Sequence, residues 1–169
     1  MPIRDEQIRK KNREQLYQLN ASPYIREELI AKERALLNIR SEGTVYIDVP
    51  FQFDYGTNLH FSGNFYANTD CLFLDTGDIN FGKNVKLGPR VQIYTVNHPV
   101  NPKERLEKGV VIASPVNIGD NVWIGGGSII NPGVTIGANT VIGSGSVVTQ
   151  SLPPDVLAAG IPAKIIKKI

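Results

Sequence analysis

Histidine and cysteine, the side chains readiest to exchange a proton or act as nucleophile near neutral pH, are scarce in this chain. It holds two histidines, His60 and His98, and one cysteine, Cys71. His98 stands in VQIYTVNHPVNPKERLEKGVVIASPVNIG, residues 91–119, where a six-residue beat that runs on both sides stops. Imidazole titrates near ~6.5, so a neutral histidine can take a proton from a hydroxyl. It can equally be a loop residue without a role, and the residues alone leave both readings open. Two histidines fall short of the three that a zinc site of the carbonic anhydrase kind needs, so no metal is expected. His60 reads as structural. Cys71 permits no internal disulfide, fits a small inward position and has no recognisable base, so it reads as core. WIGGGS is glycine-rich but lacks the Gly-Lys-Ser/Thr ending of a phosphate loop.

What must position these residues is legible from the beat itself. Residues 116–151 divide into VNIGDN, VWIGGG, SIINPG, VTIGAN, TVIGSG and SVVTQS. The third place is Ile118, Ile124, Ile130, Ile136, Ile142 and Val148. The first is small or β-branched: Val116, Val122, Ser128, Val134, Thr140 and Ser146. Gly and Asn, which suit tight turns, cluster between. The spacing continues through Ile79, Phe81, Val85, Leu87, Val91 and Ile93, and more loosely through 45–75. Each hexad is one short strand and a turn, with places one and three pointing inward. Three hexads close a triangular coil of about 18 residues, an all-β solenoid. The domain organisation expected is a helical segment over 1–43, a β-helix over 44–160 with a loop at 97–115, and a basic tail at 161–169.

Residues 1–40 carry most of the charge and almost no glycine. NASPYIREELIAKERALLNIR reads as a helix with Ser22 as N-cap, Pro23 in the first turn and Arg40 near the end. Ile25, Leu29, Leu36 and Leu37 share its apolar face. Residues 3–19 read as a weaker helix. A net charge of +2 gives no reason to expect nucleic acid or an anionic membrane as partner. No apolar run reaches the ~18 residues of a membrane span, and MPIRDEQIRKKNREQ has no apolar core of a secretory signal. A cytoplasmic location is the expectation.

With these features in hand, the sequence resembles the hexapeptide-repeat acyltransferases, and within them the maltose and galactoside O-acetyltransferase family. The matching strings are DYGTNLHFSGNFYANTD, GPRVQIYTVNHPVNP, VNIGDNVWIGGGSIINPGVTIGANTVIGSGSVVT and AAGIPAKII. The resemblance implies a left-handed parallel β-helix, a homotrimer and acetyl-CoA as co-substrate. The six-residue period by itself implies only a solenoid. By the same resemblance, the loop at 97–115 reaches toward a neighbouring subunit and His98 is the general base. Asn68 binds the acceptor hydroxyl beside it. Asp54, with Tyr55 next to it, contacts the acceptor. Gly126 and Ser144 hold the pantetheine and the thioester oxygen, Thr149 and Gln150 the nucleotide end, and Lys164 and Lys167 the phosphates. Trp123, outward at its place in the hexad, belongs to the cofactor groove or to a subunit contact.

Two departures accompany the resemblance. Gln150 stands where the family has a lysine. By the same resemblance, the sequence is expected to start after the stretch from which family members bring an acidic acceptor contact, so sugar specificity does not carry over. The expected function is acetyl-CoA-dependent O-acetylation of a sugar hydroxyl by direct transfer in a ternary complex. The alternatives are another acceptor, such as an amino sugar, an antibiotic or a polysaccharide precursor, and a non-catalytic solenoid scaffold.

Overall fold

The computed structural model describes residues 6–108 and 111–169. After two helices, α1 (Glu6–Ala21) and α2 (Arg26–Leu36), the chain winds as a left-handed parallel β-helix of about six turns. Each turn visits three faces. The first face holds β1 (Val45–Ile47), β4 (Phe65–Ala67), β7 (Val85–Leu87), β12 (Trp123–Ile124), β15 (Val141–Ile142) and β17 (Val156–Gly160). The second holds β2 (Gln52–Phe53), β5 (Leu72–Leu74), β8 (Gln92–Tyr94), β13 (Ile129–Ile130) and β16 (Val147–Val148). The third holds β3 (Leu59–Phe61), β6 (Ile79–Phe81), β11 (Val116–Ile118) and β14 (Thr135–Ile136).

The register follows the hexads. Ile47, Ala67, Leu87, Ile124, Ile142 and Ala158 are partners up the first face, and all are buried. Every first-place and third-place residue named for 116–148 is buried as well. Burying one Ile or Val is worth roughly 1.5–3 kcal/mol, so the stack holds where one coil would not. The lower coils are filled by rings, with Phe65 and Phe81 centroids 4.5 Å apart. The third–first corner carries a ladder of polar side chains: Asn64 donates to Asn84, Asn84 to Asn121, Asn121 to Asn139, and Asn139 to Asp155 at 2.7 Å. Asn84, Asn121, Asn139 and Asp155 all have φ near +60°, a conformation Asn and Asp adopt more readily than other side chains.

Two expectations about the second helix are corrected. The second helix starts at Arg26 with Ile25 as N-cap, not at Ser22–Pro23. Residues 22–25 are used to seat Tyr24 against the core, and Ile25 is left exposed. Arg40 lies beyond the helix; Arg34 is its last-turn cation and donates to the carbonyls of Ile39, Ser41 and Gly43. Within the basic tail, β18 (Ala163–Lys168) turns back antiparallel on β17. Among the described residues, no helix is long and apolar enough to cross a membrane.

The helices close the open lower end by imitating a coil. The first coil has none beneath it, so its backbone groups need other partners. Glu33, fully buried on α2, accepts the Ile47 N–H. Asn20 pairs with both backbone groups of Phe51, and Asn12 donates to the Tyr55 carbonyl. Burial pushes the Glu33 carboxyl up to about 8. A carboxyl raised in the folded state contributes fully below its unfolded pKa, and that contribution is lost as pH rises through about 8. Unfolding of wild type and Glu33→Gln compared from pH 5 to pH 9 should therefore show wild type losing ground, by at most about 1.4 kcal/mol per pH unit. A pH-independent difference would show that Glu33 stays charged in the fold.

Candidate active site

The candidate residues fall on two corners that flank the second face. Asn68 follows β4 at the first–second corner. Its N–H donates to the Leu87 carbonyl and its Oδ1 accepts the Thr69 N–H at 2.8 Å. That leaves the side-chain NH2 as the end with donors to offer. Above it in the same column stand Gly88, Gly125 and Gly143, each the residue after a first-face strand. A Cβ on Gly88 would lie 2.5 Å from the Gly126 nitrogen, and one on Gly125 2.5 Å from the Ser144 nitrogen. Close stacking forbids side chains at Gly88 and Gly125, and the result is a strip made largely of backbone leading from Asn68 past Gly126 to Ser144, with the Pro89 ring and the Ser144 hydroxyl at its sides. Lys164, paired with Ala159, sits at the upper end of that strip, and Lys167 pairs with Leu157. Trp123 points outward beside it on the first face and is 56% exposed.

The second–third corner carries the other group. The chain leaves the solenoid after Thr95 and returns at Ser114, whose N–H donates to the Thr95 carbonyl at 2.8 Å. The expected loop is thus pinched off by a short antiparallel pair, β9 (Val96–Asn97) and β10 (Ile112–Ala113). Beyond β9 comes exposed His98, then α3 (Pro102–Lys108), where Asn101 caps the Lys103 N–H at 2.9 Å. Arg105 of α3 folds back onto the carbonyls of Pro99 and Val100, so the turn that carries His98 is tied down. The part of the loop at 109–110 lies outside the described residues. Asp54 lies two coils lower at this corner, and exposed Thr149 and Gln150 two coils higher.

Around Asp54 the structure shows partners that spacing does not reveal. Arg9 of α1 donates to Asp54 Oδ1 from Nη2 at 2.5 Å and from Nε at 3.1 Å, and Thr76 donates to Oδ2 at 3.0 Å. The carboxylate is therefore already engaged on both oxygens. Tyr55 is buried, with the Arg9 guanidinium 5.4 Å from its ring centroid. Asp75, which pattern reading missed, accepts the N–H groups of Asp54, Tyr55 and Asn58 and sets this turn. Its only sequence signal is a carboxylate at an inward-facing place; burial raises its pKa.

Within one chain, then, His98 and Asn68 stand at opposite ends of the second face. His60 lies on the third face, with Nε2 3.0 Å from Asp78. Cys71 is buried, its thiol pushed up to about 11 by burial.

A triangular β-helix with one extruded loop and a bare-backbone corner is the frame of the hexapeptide-repeat acyltransferases. The model for bacterial transferase hexapeptide (six repeats) matches residues 115–150. A Saccharomyces cerevisiae protein classed among acetyltransferases is 44% identical over 163 residues, 96% of this chain and 82% of its own. A Dictyostelium discoideum protein of the same class is 54% identical over 125 residues, 74% of this chain and 65% of its own, so the match spans just under two thirds of that relative. The crystal structure of a maltose O-acetyltransferase from Clostridium difficile superposes with a TM-score of 0.88 at 43% identity, covering 98% of this chain and 89% of the other. A Vibrio cholerae hexapeptide-repeat acetyltransferase, solved with acetyl-CoA, gives a TM-score of 0.89 at 33% identity, with 96% and 87% covered. The chain belongs to the acetyltransferases of the maltose and galactoside O-acetyltransferase type.

One consequence is open to chemical test. Cys71 should resist alkylation by iodoacetamide at pH 8 in the folded protein and react fully on unfolding. Rapid labelling of the folded chain would show that the corner beneath Gly88 opens.

Proposed function

We propose that the protein transfers acetyl from acetyl-CoA to a saccharide hydroxyl, at sites completed between copies of the chain in a homotrimer. The observation that carries this reading is the split of the site. His98 and Asp54 stand at one end of the second face, Asn68 and the bare strip at the other. The face between them presents Leu72, Leu74, Tyr94, Ile129 and Val147, all half-buried, with Gln52 and Gln92 as polar members of the same column, whereas the third face presents His60, Asn80, Asn117 and Thr135. A face this rich in outward apolar side chains calls for cover. When copies pack through it around a threefold axis, the second–third corner of one meets the first–second corner of the next, and His98 meets Asn68. The acetyl-CoA of the Vibrio cholerae relative and the maltose acceptor in the name of the Clostridium difficile one agree with the chemistry of both halves.

In this mechanism the bare strip takes the pantetheine arm, with Gly126 and Ser144 at its sides. Lys164 and Lys167 take phosphates, and Trp123, Thr149 and Gln150 border the cofactor. Asn68 offers its NH2 to the acceptor oxygen. Neutral His98 takes the hydroxyl proton as that oxygen attacks the thioester carbonyl. The tetrahedral intermediate collapses, the carbon–sulfur bond breaks, and His98 returns the proton to the departing thiolate. An exposed base on a tied-down turn suits a proton that must pass between two substrates in one complex.

His98→Ala should lower kcat by about 10²–10⁴-fold with little change in CoA affinity. Lost CoA binding with normal turnover would assign His98 elsewhere. Reversing charge at both Lys164 and Lys167 should raise KM for acetyl-CoA and leave that for the acceptor alone. The effect should shrink in salt, since screening acts over about 8–10 Å near physiological ionic strength. Unchanged acetyl-CoA kinetics would remove the lysines from the site. Sedimentation should report three chains per particle; a stable, active monomer would overturn the shared site. Release of CoA with a panel of saccharides, amino sugars and antibiotics tests the acceptor class.

A further inference from the structure

On the first face, just below and beside Asn68, four outward side chains form a two-by-two array. Tyr46 and Tyr66 are register partners on β1 and β4. Asp48 and Asn68 follow those strands, joined through the Asp48 N–H to the Ala67 carbonyl at 2.8 Å. The two rings are stacked, with centroids 5.8 Å apart and planes 20° apart. Asp48 Oδ1 accepts the Tyr46 hydroxyl at 2.5 Å and Oδ2 the Tyr66 hydroxyl at 2.6 Å. All four residues are half-buried, neither covered by the core nor fully in water.

The array has a definite chemical character. Each hydroxyl donates to Asp48, so each phenol oxygen keeps lone pairs for an incoming donor. Each carboxylate oxygen also keeps a lone-pair site after accepting one tyrosine. The hydrogen bond to Asp48 first, then burial, raises Tyr46 to about 12; burial first, then Asp48, raises Tyr66 to about 12, so both remain protonated. Arg26 of α2 lies over the Tyr46 ring at 4.4 Å and forms a cation–π contact, while no ion pair reaches Asp48 among the described residues. With Arg26 over Tyr46 and Tyr66 stacked on it, what remains is chiefly the Tyr66 ring and the ring edges, bordered by hydrogen-bond acceptors. A pyranose ring, with apolar C–H faces and outward O–H donors, has the complementary character.

Direction selects the occupant. Above Asn68 the corner is largely backbone, the strip assigned to the cofactor. Below it the corner is furnished with Asp48. An acceptor that presents one hydroxyl at Asn68 must lead the rest of itself away from the cofactor, and the array lies one coil, about 4.8 Å, in that direction.

We propose that Tyr46, Asp48 and Tyr66 form a saccharide subsite for the second ring of the acceptor. The natural acceptor is then a disaccharide unit or longer, bound with its reacting sugar at Asn68. This rests on the saccharide reading of the acceptor given above. Asp48 is a specificity residue in this role. It touches the sugar next to the reacting one and takes no part in the proton transfer.

The test compares kcat/KM for glucose, maltose and maltotriose, and for glucose, cellobiose and cellotriose, in wild type, Asp48→Asn and Tyr46→Phe. Wild type should favour the disaccharide of one series over glucose by about tenfold or more. Asp48→Asn should lower that disaccharide-to-glucose ratio by about 10–100-fold, the worth of a charge-assisted hydrogen bond. Tyr46→Phe keeps the ring and should lower the ratio less. KM for acetyl-CoA should stay within about twofold in both variants, a control that a general loss of structure would not pass. Equal ratios in wild type and variants would make the array a structural clasp for α2 and overturn the subsite, as would a wild type indifferent to acceptor length. If no saccharide is acetylated, the saccharide reading itself has failed. Saturation-transfer NMR with maltotriose and cellotriose then decides the subsite separately: binding lost in Asp48→Asn upholds it, and no binding by wild type overturns it.

Discussion

Everything in this molecule depends on stacking coil upon coil at the strand spacing of about 4.8 Å. Inward Ile, Val and Phe side chains bury one another only because each backbone coil pairs with the next in register. That pairing fixes the vertical position of every outward side chain as well. Asn68 stands below Gly88, and Gly88 below Gly125, because Ala67, Leu87 and Ile124 are partners in the core. The site residues are thus placed by buried neighbours one position away, not by contacts of their own.

The same constraint explains the division of labour between faces and corners. A strand of two or three residues can present only one or two outward side chains, so a face is too narrow to wrap a ligand. A corner needs tight turns, which glycine and asparagine supply. The third–first corner uses them for a ladder of side-chain amides ending in Asp155. The first–second corner uses them to strip the backbone bare above Asn68. At the second–third corner the turn is replaced by an excursion through α3. In the proposed trimer, concavity is built between corners of neighbouring copies, where His98 and Asn68 can converge.

The helices are part of this economy. A solenoid of identical coils has an open end with unpaired backbone groups, and α1 and α2 close it with Glu33, Asn20 and Asn12 in place of a coil. The same helices bring Arg9 to Asp54 and Arg26 to Tyr46. Closure of the end and furnishing of the proposed acceptor region are therefore carried by one segment.

The sequence by itself determined the solenoid, its inward residues, the place of the excursion and the outward stance of Trp123, because a period of six is a local property repeated many times. Resemblance added the handedness and the candidate roles of His98, Asn68, Gly126 and Ser144. Only the tertiary structure decided which corner each of these occupies, and so that His98 and Asn68 do not meet within one chain. It alone joined Arg9 to Asp54, 45 residues apart, and placed Asp48 between two tyrosines. It also moved the start of α2 from Ser22 to Arg26, where seating Tyr24 outweighed a good capping pair. The physical reason is common to these cases. Local spacing states which way a side chain points, but partners across coils and between helix and coil are set by the summed register of the whole stack.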